Sequence, residues 1–195
     1  MDGPVQVEHD AFMAVMNTRR LQSMQIIFLA MLGGVLMFGL VLGLMRYQRG
    51  EAPQPAAAEG LSLLGALTVV HAVMAALGFP AAYAVYHWLA GPRGAAIFDK
   101  NPATRHQSGE LKCVLAIYTG TIIRMAIVEG IALFGYIACL IGIHSGELDA
   151  SPLYWGNLFS PVVFVLMIAA TFPTRGRMES LFLRRFCGQT AVGVR

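Results

Sequence analysis

Four apolar stretches, Met24–Met45, Leu61–Leu89, Cys113–Ile143 and Trp155–Phe172, dominate this chain of 195 residues. Each is long enough to cross a hydrocarbon core about 30 Å thick, which takes about 20 residues of helix. Composition agrees: 56% of the residues are hydrophobic and 13% charged, far from the balance of a water-soluble domain. Outside the four stretches remain an N-terminal arm, three loops and a tail of 23 residues, too little for a second packed core. The expected fold is all-α, one membrane domain over 1–195 built as a bundle of four transmembrane helices.

The first stretch reads as an uncleaved helix. Its 22 residues follow an arm that carries Asp2, Glu8 and Asp10, whereas a signal-peptide core is about 7–15 residues long. Orientation follows from the basic residues, which favour the cytoplasmic side of short loops. Arg19 and Arg20, the loop residues Arg93, Lys100, Arg105 and Lys112, and five arginines of the tail fall on one side; the other holds Arg46 and Arg49 with Glu147 and Asp149. The expectation is N-in and C-in, multi-pass, in a cell inner membrane. The net charge of +3 then reflects topology and attraction to anionic headgroups, and no nucleic-acid partner is expected because no basic groove interleaved with aromatics occurs. Cys113, Cys139 and Cys187 lack metal-site spacing and read as reduced thiols.

Several shorter features shape the bundle. The arm over 10–23 places Phe12, Val15 and Met16 at helical spacing and predicts a short helix entering the first span. Gly39 and Gly43 form a GxxxG pair, and with Gly130 they are the expected packing positions, since a missing side chain lets helices approach closely. Pro80 interrupts the second span, and the loop over 91–112 reads as a series of turns. After Phe172-Pro173, residues 177–186 place Met178, Leu181, Phe182 and Phe186 on one face, and Arg177, Arg184 and Arg185 on the other. This pattern predicts an amphipathic helix on the membrane surface.

Three polar residues inside the spans are the functional candidates: Glu129, Arg124 and His71. A charged group deep in a bilayer is costly, by about 2.5–3.5 kcal/mol on insertion scales, so an intramembrane carboxyl group marks a site or a contact. Glu129 is near the middle of the third stretch. Arg124 lies five residues away, a poor spacing for an intrahelical ion pair, and can snorkel toward headgroups. His71, on the second span, is close enough in depth to pair with Glu129 across the bundle, so Glu129 is expected to face another helix. No GxSxG, HExxH, phosphate loop or pair of haem-ligating histidines is present. No catalytic residue, metal or cofactor is therefore assigned.

Residues 124–135, Arg-Met-Ala-Ile-Val-Glu-Gly-Ile-Ala-Leu-Phe-Gly, resemble the carboxylate helix of the proteolipid c subunits of rotary ATP synthases. That resemblance implies a proton- or ion-carrying role for Glu129. The whole chain, with its Phe-Pro-Thr-Arg-Gly-Arg motif, also resembles uncharacterised bacterial four-helix membrane proteins. The function these features point to is a small interaction or accessory component of the membrane, self-associating or part of a larger complex. An ion-handling subunit is the alternative.

Overall fold

The computed structural model describes residues 14–50 and 62–186. Their regular structure is entirely helical: α1 (Thr18–Arg49), α2 (Leu63–Leu89), α3 (Pro92–Lys100), α4 (Gly109–Ser145), two 3-10 segments (Leu148–Ala150 and Pro152–Leu158), α5 (Phe159–Thr171) and α6 (Arg175–Phe186). α1, α2, α4 and the continuous run Pro152–Thr171 are long and apolar enough to cross a membrane. The fold is all-α with four membrane-length helices, as the apolar stretches predict, and the chain is multi-pass in character.

Local chemistry explains where the helices depart from those stretches. Ala14 and Val15 are helical, but the helix breaks at Met16 and Asn17. Asn17 then caps α1, its Oδ1 accepting the Arg20 N–H at 3.0 Å and so satisfying one of the donors a helix start leaves free. The expected arm over 10–23 is thus split, with 18–23 belonging to α1; Phe12 and Met13 lie outside the described residues. The loop read as turns contains α3, which Pro92 opens from the first helical turn, where its missing N–H costs nothing. Pro80 sits inside α2, which continues through it to Leu89.

The chain divides into two compact units. One comprises Phe28–Ala82 and Met125–Thr171. Its helical segments, 28–49, 63–82, 125–145 and 152–171, are each close to the ~20 residues that cross a hydrocarbon core. Leu42, Leu64, Ala138, Cys139, Ile143 and Leu148 are buried together in its core. Within 28–49 only a narrow stripe, Phe28, Val35 and Leu42, is buried, while Leu36, Leu40, Leu77 and Leu166 are exposed. So much exposed apolar surface is untenable in water and suits a lipid-facing wall. Arg46 pairs with Asp149 at 2.8 Å, which puts the end of α1 and the connection after α4 on the same side.

The other unit comprises Met1–Ile27, Tyr83–Arg124 and Phe172–Arg195. Here the Gln25 side-chain amide donates to Pro173 O at 2.9 Å, joining the start of α1 to the end of the fourth span. Lys112 donates to Asp99 Oδ1 at 2.5 Å, bracing α3 against the start of α4. The expected amphipathic helix is present as α6. Its Met178 and Phe182 are buried at 2% and 0% exposure, so that part of the apolar face is covered by protein and not by lipid, while Arg177 and Arg184 are exposed. Cys113 and Cys139 are both buried.

Candidate functional site

Glu129 projects from α4 with its carboxyl over α1: a Cβ built on Gly34 would lie 3.8 Å from Glu129 Oε1. The residue is half-buried, and among the described residues it has no hydrogen-bond or ion-pair partner. Around it the surface is open. Gly130 and Gly34 are exposed, and a Cβ on Gly33 or Gly130 would meet nothing within 4 Å. The carboxyl therefore sits at the rim of the α1–α4 contact, accessible from outside that pair of helices.

The expected partnership of Glu129 with His71 does not form. His71 is 4% exposed and places Nε2 2.6 Å from Ser160 Oγ, and Ser160 Oγ also donates to the carbonyl of Ile131 at 3.3 Å. Because a hydroxyl has one proton, a donated bond to Ile131 leaves Ser160 to accept from His71, which is then the Nε2–H tautomer. The same layer continues through Asn157, whose Nδ2 donates to Thr68 Oγ1 at 2.9 Å and to Tyr154 O at 2.8 Å. Phe134 stacks on the His71 ring at 6.1 Å between centroids. Buried polar groups are stable when mutually bonded, and this network ties α2 to α4 and to the fourth span. Ser160 is 0% exposed, so its closeness to His71 presents no nucleophile to a substrate.

Gly135 is what admits the network. A Cβ there would collide with Asn157 O and stand 3.0 Å from both His71 Nε2 and Ser160 Oγ, so any larger residue would displace backbone. Of the expected packing glycines, Gly39 has this role within the chain, since a Cβ would meet Tyr136 Oη at 2.8 Å. Gly43 and Gly130 do not: both are exposed with open space above them. The Gly39/Gly43 pair is therefore not one helix-packing motif within the chain, because seating Tyr136 over α1 requires only Gly39.

Arg124 folds onto an aromatic ring near the end of α2. Its guanidinium carbon lies 4.5 Å from the centroid of the Tyr86 ring, and its buried Nε has no hydrogen-bond partner. Arg185, from α6, lies 5.2 Å from the same centroid and sets its two terminal nitrogens 3.0 and 3.3 Å from the ring nitrogens of His87. Of the three membrane-surface arginines expected, Arg177 and Arg184 are exposed, and Arg185 is instead folded onto this cluster.

No group of three or more His, Cys, Asp or Glu residues able to hold a metal ion occurs among the described residues. Comparison with protein-family models, with curated proteins and with solved structures gives no match to this chain. The sequence reading missed Ser160, Asn157 and Thr68, although each is a polar residue within or beside an apolar stretch and so carries the same signal that singled out His71.

Proposed function

We propose that this protein is a small integral-membrane interaction component that associates through the face carrying Glu129. The observation that carries this reading is a half-buried carboxyl with no partner among the described residues, beside Gly33 and Gly130, where an added Cβ would meet nothing within 4 Å. Polar side chains join helices across a membrane interface, and small residues let backbones approach. A second copy, or a subunit of a larger complex, would supply the missing hydrogen-bond partner. The segments 28–49, 63–82, 125–145 and 152–171 are taken as the membrane layer. Both ends are then cytoplasmic, the membrane being an inner membrane, as the basic residues on that side favour.

The test is disulfide or bifunctional cross-linking in native membranes from single cysteines at Gly33, Gly34 and Gly130, in a background lacking the native thiols. A discrete product at these positions, and none at the lipid-facing control Leu166, is the expected result. Cross-linking equal to the control at all three would overturn the reading.

Ion handling by Glu129 is the second reading, favoured by the same unpaired carboxyl and by the resemblance of 124–135 to a proteolipid helix. It predicts pH-dependent labelling of Glu129 by dicyclohexylcarbodiimide that blocks ion flux across the membrane. Depth ranks it second. In the proposed membrane layer Glu129 is four residues in from Met125, about 6 Å of helix rise, shallower than a mid-membrane carrier.

A further inference from the structure

Two arginines share one tyrosine ring without a carboxylate between them. Arg124 of α4 and Arg185 of α6 stand 4.5 and 5.2 Å from the Tyr86 centroid, and neither pairs with an acid among the described residues. The aromatic face attracts each cation, but it neutralises neither, and the two like charges repel. Arg124 Nε is moreover shut away from solvent without an acceptor. Such an arrangement suits an anion rich in oxygen acceptors, to which guanidinium donors are well matched.

The surroundings indicate which anion. His87, which holds Arg185, also lines an open groove of about 490 Å³ together with Ala84, Trp88, Gly91, Pro92 and Arg93. This groove is mostly apolar, with a third guanidinium at its rim. Trp88 lines it, and Tyr83 and Tyr86 pack on His87 with ring centroids at 4.1 and 5.7 Å, an aromatic grouping typical of a membrane–water boundary. In the chain, Tyr86 and Arg124 are within four residues of the points, Ala82/Tyr83 and Arg124/Met125, where the lipid-facing unit ends. We infer that the Arg124–Tyr86–Arg185 cluster and the His87 groove bind the headgroup of an anionic phospholipid. Its phosphodiester meets the guanidinium groups, and its glycerol and upper acyl carbons lie along Ala84 and Trp88. The bound lipid connects α6 to α4, so it also secures the tail helix. This inference rests on the proposed membrane layer, though not on the assembly through Glu129.

Native mass spectrometry of the full chain, released from micelles holding equal amounts of phosphatidylglycerol and phosphatidylcholine, tests it. The wild type should retain phosphatidylglycerol over phosphatidylcholine by about tenfold or more, the scale of a charge-assisted contact. Arg185→Gln and the pair Arg124→Gln/Arg185→Gln should bring that ratio toward one. Arg185 is on the last turn of the chain's last described helix, so its substitution reads the site even where Arg124→Gln impairs folding. A wild-type ratio near one, or an unchanged ratio in Arg185→Gln, overturns the inference. So does displacement of the lipid by millimolar inorganic phosphate, which would assign the cluster to a soluble phosphate. The same spectra report the number of chains: a monomer that still selects phosphatidylglycerol refutes the Glu129 assembly alone.

Discussion

His71 Nε2 lies 2.6 Å from Ser160 Oγ, a bond between residues of α2 and α5 that are both closed off from solvent and lipid. Removing one partner leaves the other unsatisfied in a low-dielectric interior. Ser160→Ala should therefore destabilise the protein by about 1–2 kcal/mol, the range for interhelical polar contacts in membranes. His71→Phe combined with Ser160→Ala should cost less than the sum of the single changes. Unfolding by mixed-micelle titration measures this, and strictly additive effects would show that the two side chains are not coupled.

The glycines separate into two kinds, and substitution should tell them apart. Gly135→Ala drives a Cβ into Asn157 O, a backbone atom that cannot step aside, and should cost about 1–3 kcal/mol or more by overpacking. Gly39→Ala meets only the tip of Tyr136, so Tyr136→Phe should restore most of the loss. Gly43→Ala meets open space and should leave the fold unchanged within about 0.5 kcal/mol. Thermal midpoints of the four variants in one detergent decide the order.

These contrasts show what the sequence could and could not carry. Length and apolarity alone specify four spans, because lipid imposes a length on any helix that crosses it. The identity of partners is not encoded that way. Closeness in depth made His71 and Glu129 plausible neighbours, but azimuth around the helix decides contact, and His71 turns toward Ser160 while Glu129 turns toward Gly34. That Arg124 stacks on Tyr86, 38 positions earlier, is likewise a matter of azimuth that spacing along the chain does not give. The α6 pattern correctly gives a helix with two faces; whether lipid or protein covers the apolar face depends on what the other elements leave open.

A pH effect is expected at α3. Lys112, by its hydrogen bond and then its charge, with Arg105 adding, holds the Asp99 carboxyl below the usual carboxylate range. A lowered folded-state pKa contributes stability that is present above the unfolded value of about 3.9 and is lost as pH falls through the lowered value. Asp99 is exposed on the surface, so the contribution is small and screened by salt. Corrected for the intrinsic pH dependence of exchange, amide protection in α3 should fall below about pH 4 in the wild type, and Asp99→Asn should show the lower protection already at neutral pH. Equal rates for both proteins at neutral pH and low salt would remove the bridge from the account.

The depth of α4 in the bilayer ties the Glu129 and Arg124 readings together. With 37 residues, α4 is about 55 Å long, well beyond a hydrocarbon core of about 30 Å. A steep tilt could accommodate the excess, or part of the helix could leave the membrane. The boundary between Arg124 and Met125 favours the second, since 125–145 alone spans about 30 Å and the preceding stretch buries Cys113, Val114, Ala116 and Ile117 in protein. Spin labels at exposed positions in nanodiscs can decide this from collisions with oxygen, which concentrates in the hydrocarbon core, and with a water-soluble nickel chelate. On α4, Ile137 should favour oxygen strongly, and Ile123 should report the headgroup region. On α1, oxygen contact should peak around Leu36 to Leu40 and fall by Ile26, while Ile97 on α3 should favour the nickel chelate. A peak near Ile26 and Ile123 would place Arg124 inside the hydrocarbon and Glu129 near its centre. The headgroup site would then be lost, and ion handling by Glu129 would become the stronger reading.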